Sequence, residues 1–322
     1  MLTKAFLRLI GLFIFLYIIC VHIDINEVVG TFVVLRWDCF ILSILLIPLS
    51  IFIRSVRWKR ILKKHNIDFS QWESFKMCVL GGVSSFVVPT VGSFIKVLYV
   101  KRENVGLARP IVSVLGEKYI DLILPLAFGI ASYTLLYLNI INWLTLLIIF
   151  LFGFIFYVLL KLLVKMFYLI VVHNVFKKLI KRHSSVEKHL LDLESVLDFY
   201  TYLLSVMEFT VGGFVRIYLL AKAVSIDFSF ITVVLVTSIN SLITFIPISY
   251  FGIGTRDVGL IAVFQLFERS SEEAIALSLA ILLSRIIFVF LGAAFWFIQP
   301  PPIENLSHNS PTQHIHKKET NL

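Results

Sequence analysis

The sequence predicts an all-α polytopic membrane protein with about six spanning helices and two re-entrant broken hairpins that enter from opposite faces. Three observations carry that prediction. Of 322 residues, 59% are hydrophobic and 15% charged, against roughly 45–50% and ~25% in soluble domains. Apolar runs close to the ~20 residues needed to cross a ~30 Å hydrocarbon core recur along the chain. Two of the runs are interrupted by proline and glycine, in "SSFVVPTVGSFIKV" from residue 84 and "SLITFIPISYFGIGTRD" from residue 241. A net charge of +9 would suit nucleic-acid binding in a soluble chain. Here the basic residues cluster beside apolar runs, as the positive-inside bias requires, so no nucleic-acid partner is expected.

The first span, about residues 5–23, follows Lys4 and contains Arg8, and has no small-x-small cleavage site; it reads as a retained helix with a cytoplasmic N-terminus. The second, about 38–57, runs into "RSVRWKRILKKH", the densest basic cluster, read as a cytoplasmic loop. The stretch 74–100 has basic residues before and after it, so it should not cross an odd number of times. A re-entrant hairpin broken around Pro89 and Gly92 satisfies both ends, because proline removes a backbone donor and glycine admits unusual angles. Spans at about 111–137 and 143–164 are joined by the uncharged "LNIINW", and "VEKHLLDLESVLDF" within 173–198 has the periodicity of a surface amphipathic helix. A fifth span follows at about 200–221. The second broken element covers about 229–268, interrupted by Pro247, Gly252 and Gly254. A last span, about 273–298, returns the chain to the cytoplasm, so residues 1–298 form the membrane domain and 299–322 a disordered polar cytoplasmic tail.

Paired interrupted segments from opposite faces build substrate sites near the midplane of transporters; the alternative is that proline and glycine only kink packed helices. Ionisable groups inside spans are costly and point to function. Glu117 and Asp121, four apart, share a helical face, and Arg285 is the obvious intramembrane cation on another helix to pair with either. A purely structural ion pair uses the same residues. Lys96, Arg256 and Asp257 follow the breaks, where a base can hold phosphate or merely snorkel to the interface. The candidate substrate-binding set is therefore Lys96, Glu117, Asp121, Arg256, Asp257 and Arg285. Glu208 and Arg216 are further candidates on the fifth span, whereas Arg54, Arg57, Lys59 and Arg60 are read as fixing topology. Three isolated cysteines and scattered histidines give no metal-ligand spacing, and neither a metal nor a cofactor is expected.

Taken together, "RSVRWKRIL", the block at Pro89 and Gly92, the pattern Glu117-Lys118-x-x-Asp121, "PISYFGIGTRD" and Arg285 resemble the transmembrane region of lysylphosphatidylglycerol synthases and their stand-alone flippase-like relatives. The resemblance covers about residues 5–298. Ser93 stands where the family often has Glu, Lys96 where it has Arg, and Asp257 where Glu is usual. The resemblance implies a lipid translocator in a bacterial or archaeal cell membrane that moves a phospholipid, glycolipid or polyprenyl-linked lipid. It does not imply an enzyme, since the transferase domain of the synthases has no room after the last span. Two other classes compete. One is an accessory subunit of a cell-envelope lipid glycosylation system, with envelope-biosynthesis protein partners. The other is a lipid-phosphate enzyme: "RENVGLARP" is similar to the first motif of membrane lipid phosphatases, but the histidine block their chemistry needs does not follow. Neither the lipid identity nor the oligomeric state is legible.

Overall fold

The structure, a computed structural model, describes residues 30, 33–87, 92–100, 108–138, 198–245 and 254–298. Every regular element among them is helical: α1 (Trp37–Lys64), α2 (Gln71–Val87), a 3-10 turn (Gly92–Phe94) leading into α3 (Ile95–Val100), and α4 (Ala108–Leu138). The later group is α5 (Phe199–Phe209), a π-helical turn (Thr210–Val215), α6 (Arg216–Ala223), α7 (Phe230–Phe245), α8 (Thr255–Gln265) and α9 (Ser271–Ile298). Four segments among the described residues are long and apolar enough to cross a membrane: Trp37–Lys64, Ser113–Leu136, Phe199–Ala223 and Ser271–Phe290. The expected spans at 5–23 and 143–164, the amphipathic stretch 173–198 apart from Asp198, the tail, and Pro89, Pro247 and Gly252 lie outside the described residues.

Local chemistry sets the helix ends. Ser70 and Glu73 form a reciprocal capping box at the start of α2: the Glu73 N–H donates to Ser70 Oγ, and the Ser70 N–H donates to the Glu73 carboxylate. Asp198 caps α5 by accepting from the Thr201 N–H at 2.8 Å. At the end of α1, Asn66 takes a left-handed conformation with φ 58°. The Ile67 and Asn66 N–H groups then return to the Leu62 and Lys63 carbonyls, a Schellman closure. That closure corrects one expectation. The basic run 54–64 is not a loop but the last turns of α1, and Arg57, Trp58, Ile61 and Leu62 are buried on its inner face.

The outer face of α1 carries Ile41, Leu45, Leu49 and Phe52, all exposed, as a surface turned to lipid requires. Pro48 within α1 and Pro125 within α4 are of the kind that membrane helices tolerate. Inside, one apolar cluster joins α6, α7, α8 and α9 through residues such as Leu220, Val236, Phe264 and Leu277. A second joins α1, α2 and α3 through Trp58, Leu62, Cys78 and Val97, with Val114 of α4. Helices α4 and α7 pack along their length, with Gly129 against Ser238, the small-residue contact that lets membrane helices approach closely.

The helices that flank each interruption pack against each other. Lys96 of α3 lies along Gly81 of α2, and Gly92 sits on the backbone of Ser84 and Ser85, where a Cβ would collide with main chain. Helix α8 packs on α7, with Gly259 against Ile243. Gly254 has φ 91°, a backbone conformation that L side chains rarely adopt, and it starts α8 with its N–H donated to the Asp257 carboxylate at 2.8 Å.

Candidate functional site

Two buried groups of charges lie in this bundle. The first is built from α1, α3, α4 and α5. Arg57, 1% exposed, reaches from the inner face of α1 to three carboxylates, 3.5 Å from Glu117, 3.2 Å from Asp121 and 3.1 Å from Glu208. It also donates to Ser205 Oγ at 2.9 Å. Lys96 donates to the other oxygen of Glu117 and stands 4.2 Å from the centre of the Trp58 ring, so the ammonium is held by a carboxylate and an aromatic face together. Lys118 pairs with Asp121 at 3.3 Å, and Arg54 with Glu208 at 2.6 Å. Three carboxylates thus face four cations. Two carboxylates as close as Glu117 and Asp121 would resist joint ionisation in a low dielectric. Arg57 and Lys96 remove that conflict.

The second group is built from α6, α8 and α9. Arg256, 1% exposed, donates to Ser278 Oγ at 2.6 Å and lies 3.2 Å from Asp257 Oδ1. Asp257 is fully engaged: Oδ2 accepts from Gly254 and Oδ1 from Arg256 and the Ser278 hydroxyl. Arg216 donates from Nη1 to Ser284 Oγ at 3.0 Å and from Nε to the Gly212 carbonyl at 2.9 Å. A regular helix would bond that carbonyl to the N–H of Arg216; in the π turn the N–H goes to Gly213 instead, and the side chain takes the freed acceptor. Arg285, half-buried, follows Ser284 and lies two turns after Ser278 on α9, the two serines that hold Arg216 and Arg256. Among the described residues, Asp257 is the one carboxylate paired with any of these three arginines.

The π turn also links the two groups, since Glu208 precedes it and Arg216 follows it. Eight residues of regular helix would set the two about 80° apart around the axis; the wider turn holds back about 100° of rotation and returns them to nearly one face. Among the described residues, no cluster of His, Cys, Asp or Glu is placed to hold a metal.

The family model for the lysylphosphatidylglycerol synthase transmembrane region matches residues 6–293. The chain belongs to that family. No curated protein and no solved structure matches it. As a member of this family with membrane-spanning helices, it is an integral membrane protein of a lipid-related family.

The structure brings Lys96, Glu117 and Asp121 together through Arg57, and separately Arg256 and Asp257, with Arg285 two turns beyond the Ser278 that holds Arg256. It does not pair Arg285 with Glu117 or Asp121. Helix α9 packs on α1, α2, α6 and α8, while α4 packs on α1, α3, α5 and α7, so Arg57 reaches the family's carboxylates and Arg285 does not. Arg57 and Arg54 are residues that the topological reading undervalued. The signal was present: Arg54, Arg57 and Ile61 share one stripe with Trp58 beside it, so a base at Arg57 falls on an apolar face.

Proposed function

We propose that this family member is a lipid translocator, not an enzyme, and that it moves a phospholipid, glycolipid or polyprenyl-linked lipid between leaflets. In this reading the α2–α3 and α7–α8 pairs are re-entrant hairpins that enter from opposite faces and meet near the midplane. The headgroup passes between them while the acyl chains stay in lipid. Arg256 and Arg285 hold its phosphate. Lys96, Glu117 and Asp121 line the path as a neutralised polar wall that a hydroxylated headgroup can contact.

The observation that carries the proposal is the burial of two charged groups beside the helices that flank the interruptions inside an apolar bundle. Such groups are expensive at membrane depth, and polar backbone breaks there line cavities in transporters. Membership of a lipid-related family supports the same reading.

The test is labelled-lipid movement in proteoliposomes, comparing the wild type with Arg285→Gln. Accelerated movement that the substitution removes, with the thermal midpoint maintained, is the expected result. Absence of movement with every anionic, glycosylated and polyprenyl lipid tried would contradict it and favour an accessory role in envelope lipid glycosylation.

A further inference from the structure

The two charged groups differ in balance, and the difference bears on which headgroup fits. In the first group every carboxylate already has a protein cation: Glu117 has Lys96 and Arg57, Asp121 has Arg57 and Lys118, and Glu208 has Arg54 and Arg57. No acid there is left to receive a cationic headgroup. The second group holds three arginines on α6, α8 and α9 and one carboxylate, Asp257, which pairs with Arg256 and has both oxygens engaged.

The guanidinium of Arg256 is fully buried, and its Nη1 has no hydrogen-bond partner among the described residues. A charged donor left unmatched in a buried place is unfavourable unless an acceptor arrives. Helix α9 fixes the geometry, because Ser278 holds Arg256 and Ser284 holds Arg216. Ser278 and Arg285 are seven apart on α9 and share its face. The half-buried Arg285 is the member of the group open to an arriving ligand.

We infer that Arg216, positioned by Ser284, together with Arg256 and Arg285 forms an anion site that takes the phosphate of a lipid with a net negative headgroup and disfavours a headgroup made cationic by aminoacylation. The inference rests on the translocation reading of this region and names the substrate charge class within it. A phosphate oxygen completes the unmatched donor of Arg256, and its charge relieves the mutual repulsion of the arginines. An added ammonium would meet three like charges and no free carboxylate.

The experiment is equilibrium binding to the purified full chain in a neutral detergent. The probes are phosphatidylglycerol, phosphatidylcholine, lysylphosphatidylglycerol and inorganic phosphate. Phosphatidylglycerol is expected to bind at least about tenfold more tightly than the other three, and Arg285→Gln to weaken it by about tenfold. Arg216→Gln serves as the second variant in case the first fails to fold, with the same loss expected. Equal affinity for lysylphosphatidylglycerol, or phosphatidylglycerol binding unmoved by either substitution, overturns the inference. Equal affinity for inorganic phosphate overturns its lipid part. Selective binding without movement in proteoliposomes would sink the translocation reading alone, whereas movement of lysylphosphatidylglycerol with no preference for anionic lipid would sink the inference alone.

Discussion

Arg57 and Arg256 are both large, fully buried arginines, yet their surroundings are opposite. Arg57 stands among three carboxylates and closes a network in which each acid has a protein partner. Arg256 has one acid, which also caps its own helix, and is held by α9, the helix that also holds Arg216 and carries Arg285. The contrast separates two uses of charge in a membrane bundle. A balanced buried network fixes which helices meet, since its pairs tie α1 to α4 and α5 and tie α3 to α4. An unbalanced one stores unfavourable energy that a ligand of opposite charge can release.

Substitutions sharpen that contrast in order of size. Arg57→Met should have the largest effect, because it leaves the buried Glu117 and Glu208 and the half-buried Asp121 with one partner fewer each. Removing one member of a buried pair typically costs about 3–5 kcal/mol, so most of the folded protein should be lost in a thermal-shift or size-exclusion assay. Adding Glu208→Gln to Arg57→Met should recover part of the loss, whereas strict additivity would show that the network is not coupled. Gly212→Val comes next. A Cβ at Gly212 would stand 2.7 Å from that of Ser50, and overpacking of this kind costs about 1–3 kcal/mol. The substitution should lower the thermal midpoint and also weaken anion binding, because Arg216 is anchored on the Gly212 carbonyl.

Asp198→Ala should be milder, about 1 kcal/mol for the lost helix cap. Asp198 also carries a pH signature. Partial burial by itself would raise its carboxyl, but hydrogen bonds from Arg60, Thr201 and Lys64 outweigh burial and hold it below the ordinary carboxylate range. A depressed value in the folded state means that this contribution is complete above the unfolded value of about 3.9 and is lost as pH falls towards the folded one. Wild type and Asp198→Ala should therefore converge in stability below about pH 4. A gap that stays constant down to the acid limit would show that capping through the carboxylate charge is unimportant.

Much of this arrangement was legible in the sequence because membrane helices leave strong signals. Apolar runs located α4, α5 with α6, and α9, and proline with glycine marked the boundaries between α2 and α3 and between α7 and α8. The polar site was legible residue by residue but not in its pairing. Position deep in an apolar run made Arg285 the obvious partner for Glu117 and Asp121, which lie in another such run. Which helices touch is decided by packing, and α9 does not lie against α4. Arg57 was obscured for a different reason: its neighbours Arg54, Lys59 and Arg60 give the appearance of a topology signal. Charge density shows which side of the membrane a run prefers, but helical phase decides which of its members turns inward. The π turn was not visible at all, because no residue type encodes it and Gly212 with Gly213 fits equally well as a helix-packing pair.

The most direct test of the contrast between the two groups is the thermal midpoint of Arg285→Met in lipid-free neutral detergent, measured beside Arg57→Met. The account predicts opposite responses. Loss of Arg285 should leave the midpoint unchanged or raise it, by up to about 1 kcal/mol of relieved repulsion, while loss of Arg57 collapses it. A fall for Arg285→Met as steep as that for Arg57→Met would contradict the account, because the arginine group would then be a balanced structural network like the first.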